Sequence, residues 1–308
     1  MQNIKIAVLG LGGVGGYFGG KLAKRYAGSG NVGIYFFARG EHLKAINEYG
    51  IHIVNENEDF FARPDMATND ARETGIVDYI IVTTKSYDLK ASIDQIRPCI
   101  GKKTVILPLL NGGDITERIR EILPENTVWS GCSYIVGRKT EPGVIRTSGQ
   151  FLRFIFGYDG GTNEEVLRFD KLLRDAEIDV YLPKNIRESI WRKFYFISVS
   201  ASLTSYFDTT FNELVDTEQH RNTTIKMAKE FLEVAQAEGI PLVESDTEHV
   251  LNRLELLPAG STSSMNSDFE AGNKTEVETL TGVVVRLAQK HNISVPLYVK
   301  VYNELSKR

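Results

Sequence analysis

The sequence predicts an α/β chain in two parts, an open parallel sheet with covering helices followed by an all-helical part. Three observations predict it. Strand-like apolar runs alternate with helical stretches through the first half, the pattern of right-handed strand–helix–strand units. A glycine-rich turn, Gly10-Leu11-Gly12-Gly13-Val14-Gly15, sits between the run Ile4-Lys5-Ile6-Ala7-Val8-Leu9 and the first helix. Beyond Pro183 nearly every segment has helical spacing.

The totals bound the possibilities. A length of 308 residues suggests two domains, and 42% hydrophobic residues suffice for sizeable cores. A net charge of −4 leaves no footprint for nucleic acid. Cys99 and Cys132 lack metal-ligand spacing, and two isolated cysteines do not make a secreted scaffold. The five histidines are scattered, so no metal site is expected. The apolar N-terminus is short, lacks a basic leader and is needed as the first strand, so it does not read as a signal peptide. No apolar stretch is long enough to span a bilayer. A cytoplasmic enzyme is the expectation.

The elements follow in order. A helix is expected over Tyr17–Tyr26, with Gly28 and Gly30 at its exit. Val32–Ala38 is a second strand, a nearly continuous apolar run suited to a sheet covered on both faces. A helix over His42–Tyr49 ends at Gly50, a fitting C-cap. Ile51–Val54 and Phe60–Phe61 read as a strand pair decorating the sheet. Asp78–Thr84 and Thr104–Leu110 are core strands, with a helix over Leu89–Ile96 that Pro98 ends. Val144–Thr147 and Phe151–Gly157 read as antiparallel additions at the sheet edge. A helix over Glu164–Arg174 and a strand over Asp179–Leu182 complete the first domain, residues 1–183. The second, 184–308, holds helices over Ile186–Ser202, Thr217–Glu238, Ser245–Leu256, Glu276–His291 and Pro296–Lys307. Apolar faces on the late helices fit either a homodimer contact or a cover for the sheet.

The glycine turn carries the first functional expectation. With a strand before and a helix after, it has the context of a dinucleotide-binding motif in a Rossmann-like domain. A side chain at Gly10 would obstruct the turn, one at Gly12 would hold the backbone off a pyrophosphate, and one at Gly15 would wedge the helix from the sheet. The free N–H groups at the helix start then face the phosphates. Leu11, Gly13 and Val14 complete the expected cofactor contacts. The second strand ends Phe37-Ala38-Arg39-Gly40. An acidic residue there suits the ribose 2′-OH, whereas an arginine suits a 2′-phosphate. Arg39 therefore points to NADPH over NADH. The competing reading is a solvated loop arginine.

Four further positions are candidates for chemistry. Lys85 and Asn111 follow strand carboxyl ends, where cofactors bind. Lys85 also reads as a solvent lysine, and Asn111-Gly112-Gly113 also reads as a plain turn. Lys193 shares a helix face with Ile186, Ile190 and Ile197, an unusual place for an amine unless it meets water or a ligand. Partial burial there favours a proton donor usable near neutral pH. Glu276 at a helix start and Ser264 in Ser261-Thr262-Ser263-Ser264-Met265 also read as a first-turn acid and a loop serine.

With these residues in view, the chain resembles the 2-dehydropantoate 2-reductase (ketopantoate reductase) family over essentially its whole length. The matching segments are the glycine turn, Arg39-Gly40, Val82-Thr83-Thr84-Lys85 and Asn111-Gly112. Further on they are Trp191-Arg192-Lys193, Leu203-Thr204, Asn212-Glu213-Leu214, Ser263-Ser264-Met265 with Asp268, and Lys274-Thr275-Glu276. The resemblance implies reduction of a 2-keto acid with NADPH, giving pantoate for pantothenate and coenzyme A synthesis. It implies Lys193 as the general acid, and Glu276 as the residue that holds a substrate hydroxyl and helps orient the lysine. It implies that Asn111 touches cofactor and substrate, that Ser264 binds the substrate carboxylate, and that Lys85 and Glu276 lie by the cofactor.

The chain departs from the family pattern in places. Ile197 and Ala201 stand where the family has asparagines one and two turns past the lysine, and Ser202 stands where proline is common. Leu110 replaces the usual Gln or His before Asn111. Ser198, Ser200 or Ser202 are candidates to replace the lost amides, though helical spacing points them in different directions. Two other readings therefore stand beside the first. One is a reductase of a different, more apolar 2-keto acid. The other is a non-catalytic NADPH-binding regulator, since fold alone does not set function.

Overall fold

The computed structural model describes residues 4–308, apart from the side chains of Gln150 and Phe151. The chain divides into two compact units, one of residues 1–110 and 115–186, the other of 111–114 and 187–308.

The elements of the first unit run β1 (Ile4–Leu9), α1 (Gly13–Tyr26), β2 (Val32–Phe37), α2 (Gly40–Tyr49), β3 (Ile51–Val54), β4 (Asp59–Ala62), β5 (Met66–Thr68), β6 (Val77–Val82), α3 (Leu89–Ile96), β7 (Ile100–Pro108), α4 (Ile115–Ile122), β8 (Ser130–Glu141), β9 (Val144–Gly157), α5 (Glu164–Asp175) and β10 (Asp179–Tyr181). Gly50 ends α2 at φ 87°, a backbone that glycine adopts without strain. Five parallel strands form the first sheet in the order β5-β2-β1-β6-β7. This is a Rossmann-like domain, and the strand order reverses between β1 and β6. Ligands bind such sheets outside the carboxyl ends at the reversal. The sheet is covered on both faces. Ile6 and Val8 face one apolar core, and Ala7 and Leu9 the other. That two-sided cover is why these strands are apolar without alternation.

The other strands do not extend this sheet. They form a second one, ordered β10-β9-β3-β4, with β8 paired antiparallel to β9. The first half of β9 runs parallel to β3 and its second half parallel to β10. The strands expected as a pair decorating the sheet and as antiparallel additions at its edge thus belong to a separate layer. Helix α1 lies between the two sheets, and its glycines make that possible. A Cβ on Gly19 would stand 3.0 Å from Phe36 in the first sheet, while one on Gly16 would stand 2.5 Å from Ile145 and one on Gly20 2.8 Å from Ile53 in the second. Strand propensity is visible in a sequence, but which strands pair is decided by what each helix face can approach.

The helical unit contains α6 (Ile186–Phe207, whose first residue falls in the first unit), α7 (Glu213–Asp216), α8 (Glu218–Ala237), α9 (Ser245–Leu256), α10 (Ser264–Glu270), α11 (Val283–Lys290) and α12 (Pro296–Leu305). Its core centres on Phe194, Phe231, Val234, Val284 and Tyr298. The buried carboxylate of Glu230 accepts the backbone N–H groups of Leu297 and Tyr298 at 3.0 and 2.9 Å, capping α12. No helix of the described residues is long and apolar enough to cross a membrane.

Gly16→Ala tests the two-sided packing of α1. On an exposed helix this change stabilises by about 1 kcal/mol. Here the Ile145 contact is expected to reverse the sign, lowering the unfolding free energy by about 1–3 kcal/mol in urea titration. A stabilised variant would disprove the close approach.

Candidate active site

The glycine turn has the geometry expected of a phosphate-binding loop. Gly10 adopts φ +96°, and a Cβ there would stand 2.9 Å from the Thr83 carbonyl carbon. Thr83, just past β6, ties the turn down: its N–H donates to Leu9 O at 2.8 Å, and its hydroxyl to Gly10 O at 2.5 Å. A Cβ on Gly15 would meet Gly10 O at 2.1 Å. Gly12 differs, because nothing lies within 4 Å of its Cβ position and it is exposed at the N-cap of α1. The turn is thus tightly packed at Gly10 and Gly15 and open at Gly12. Backbone amides at a helix start beside such an opening fit a pyrophosphate. Arg39 is exposed at the N-cap of α2, just past the carboxyl end of β2. Lys85 is half-buried past the carboxyl end of β6, at the N-cap of a short 3₁₀ turn.

His42 is a residue of this region that sequence reasoning missed. Its Nδ1 accepts the Gly143 N–H at 2.8 Å, which leaves the proton on Nε2, facing Leu11 O at 2.9 Å. One neutral imidazole therefore links the glycine turn to the β8–β9 hairpin. Burial holds its pKa below the ordinary 6.5. Only a long-range partner, Gly143, distinguishes this histidine from an ordinary helix residue, so local sequence carries no signal of it.

The helical unit brings together two of the expected site residues. Lys193 is 7% exposed, and its Nζ donates to Asn111 Oδ1 at 2.9 Å. Asn111 reaches this amine because the segment 111–114 leaves the sheet unit and packs with the helices. Gly112 turns the chain at φ +126°, and Gly113 fits where a Cβ would stand 2.8 Å from Phe194. Around the lysine, α6 is fixed from several sides. Trp191 and Phe194 pack edge to face, and Tyr195 stacks on Phe231 at 4.8 Å. Tyr195 OH meets Thr247 Oγ1 at 2.8 Å, and burial pushes its pKa up to about 12. Arg192 points elsewhere, paired with Glu188 at 2.9 Å and with Asp246.

Glu276 is buried in the same unit, just ahead of a π-helical turn over Glu278–Gly282. Ser264 is exposed as the first residue of α10. The capping role falls to its neighbour Ser263, whose Oγ accepts the Asn266 N–H at 3.0 Å and meets Thr204 Oγ1 at 2.8 Å. Asn212 is structural: its amide donates to the carbonyls of Leu254, Glu255 and Leu257 at the end of α9. The serines considered as replacements for lost amides are engaged inside the helical core. Ser198 meets Leu280 O and Tyr298 OH, Ser200 donates to Phe196 O, and Ser202 meets Thr281 Oγ1.

Residues 6–160 match the family model described as ketopantoate reductase PanE/ApbA, and residues 185–308 match its C-terminal model. The crystal structure of 2-dehydropantoate 2-reductase from Porphyromonas gingivalis W83 is 38% identical, with a TM-score of 0.87, over 99% of this chain and 100% of that one. An uncharacterized oxidoreductase YkpB of Bacillus subtilis is 28% identical over 98% of each chain. A 2-dehydropantoate 2-reductase of Halobacterium salinarum is 28% identical over 96% of this chain and 95% of its own.

The His42 linkage makes a pH prediction. A histidine with a lowered native pKa favours its neutral form in the fold. Its contribution is therefore complete above pH 6.5 and is lost as the pH falls from there toward the native value. The unfolding free energy of the parent is expected to drop more steeply below pH 6.5 than that of His42→Asn, by up to about 1.4 kcal/mol per pH unit. Parallel curves for the two proteins would remove the linkage.

Proposed function

The chain belongs to the ketopantoate reductase family, and on that premise we propose that it reduces 2-dehydropantoate to pantoate with NADPH. Members of the family are oxidoreductases that bind a nicotinamide dinucleotide. The observation that carries the reading is the buried Lys193 amine held by Asn111 at 2.9 Å. A buried ammonium is costly unless it is hydrogen-bonded, and such groups cluster at functional sites. The reduced nicotinamide, when bound, supplies the hydride. Negative charge then builds on the carbonyl oxygen of the keto acid, where Lys193 stabilises it and hands over the Nζ proton. Asn111 keeps the amine in one orientation, so little reorganisation is left for the moment of reaction. Glu276 holds a hydroxyl of the substrate and helps orient the lysine, and Ser264 offers its exposed hydroxyl to the carboxylate. Asn111 and Glu276 also lie by the cofactor in this reading.

The cofactor is assigned to the sheet unit. The residues fit it: Gly12 leaves room for the pyrophosphate, with Gly10, Leu11, Gly13, Val14 and Gly15 shaping the cradle. Arg39 offers an exposed, permanently charged fork to a 2′-phosphate. Lys85 adds positive charge beyond β6. The enzyme so described is cytoplasmic and acts on a small 2-keto acid.

A second reading keeps the reaction and changes the substrate. Lys193, Ile197 and Ala201 follow one another along a face of α6. Ile197 is half-buried and Ala201 buried, and the neighbouring serines are engaged elsewhere. That face is apolar beside the amine, which favours a branched 2-keto acid without a hydroxyl.

NADPH oxidation followed by absorbance tests both readings. Turnover with ketopantoate is expected, and Lys193→Ala is expected to lower kcat by about 10²–10⁴-fold. Higher kcat/KM on branched 2-keto acids would select the second reading, and no turnover on either class would remove both. Arg39→Ala is expected to weaken NADPH binding at least tenfold while leaving NADH binding within twofold, read by fluorescence titration. Equal losses for the two cofactors would overturn the NADPH assignment.

A further inference from the structure

Helix α6 carries three interior serines past Lys193, and they are used differently. Ser200 donates to Phe196 O of its own helix at 2.7 Å, an ordinary back-bond. Ser198 and Ser202 reach across to the segment that follows Glu276. Ser198 Oγ donates to Leu280 O at 2.6 Å and meets Tyr298 OH at 2.9 Å, and Ser202 Oγ meets Thr281 Oγ1 at 2.7 Å. Ser198, Ser202, Thr281 and Tyr298 are all fully buried.

The segment they grip is unusual. Over Glu278–Gly282 the helix widens to a π turn, in which the Val283 N–H bonds back to Glu278 O. Such turns insert an extra residue, are rare, and occur frequently at functional sites. Glu276 is anchored directly to this turn, since its carbonyl accepts the N–H groups of Thr279 and Leu280 at 3.0 and 2.9 Å. Leu280 therefore joins two bonds: its N–H holds the Glu276 backbone, and its carbonyl is held by Ser198. At about 100° per residue, Ser198 and Ser202 lie roughly 140° and 180° round α6 from Lys193. Their hydroxyls do not share the lysine's face, so any effect on chemistry passes through the gripped turn.

We propose that Ser198 and Ser202 are positioning residues that clamp the π turn onto the lysine-bearing helix and so set the Glu276 carboxylate for the reaction. The proposal rests on the reductase reading, in which Lys193 and Glu276 serve one substrate. Within that reading, one helix carries the proton donor on one side and fixes its acidic partner from the other.

The test uses the full-length protein with NADPH and the best keto acid. Ser198→Ala is expected to lower kcat at least tenfold while KM for NADPH stays within twofold, and to displace one limb of the pH profile of kcat. Ser202→Ala is expected to act in the same direction and serves if the first variant folds poorly. Ser200→Ala should leave kcat within twofold. The decisive measurement is the double variant with Glu276→Gln. If the serine acts through Glu276, Ser198→Ala costs less than twofold more in that background. An equal loss in both backgrounds, or unchanged kcat in folded Ser198→Ala and Ser202→Ala, overturns the proposal. Absence of turnover by the parent protein is a different outcome: it removes the reductase reading itself, and the clamp with it.

Discussion

A charged amine inside a protein needs an acceptor, and the Lys193–Asn111 hydrogen bond supplies one. Much of the helical unit follows from that need. The segment 111–114 must leave the sheet unit to bring the amide to the amine, and Gly112 and Gly113 permit the turn and the close approach to Phe194. The aromatic packing of Trp191, Phe194 and Phe231 holds the helix that carries the lysine. With its backbone held by packing and its tip by a hydrogen bond, a long flexible side chain keeps one orientation.

The sheet unit answers a different constraint with the same residue type. Helix α1 must approach two sheets at once, and glycine on each face is what allows it. Gly19 admits the parallel sheet, Gly13, Gly16 and Gly20 admit the second one, and Gly15 admits the glycine turn and Thr83. The same closeness presses the helix start against Gly10 and Thr83, leaving Gly12 as the open position. His42 then braces Leu11 from the β8–β9 hairpin. The second sheet is therefore a buttress for the glycine turn.

The resemblance to reductases holds across altered positions and retained ones alike. Beside Ile197 and Ala201 the adjacent serines are engaged, Ser198 and Ser202 with Leu280 and Thr281 and Ser200 with its own helix. Where the motif Asn212-Glu213 is kept, its amide serves the end of α9. A matching residue thus marks shared architecture as readily as shared chemistry, and only its partners tell which.

The sequence by itself determined the parallel sheet, the glycine turn, the helical second half and the amine on an apolar helix face. Those features are written in local period and in backbone requirements that only glycine meets. The tertiary structure decided the rest. It made a second sheet of strands that looked like edges, joined Asn111 to Lys193, gave the cap to Ser263 and left Ser264 exposed, and turned His42 into a brace. Each of these depends on a partner far along the chain, and distance in space leaves no trace in the spacing of neighbours.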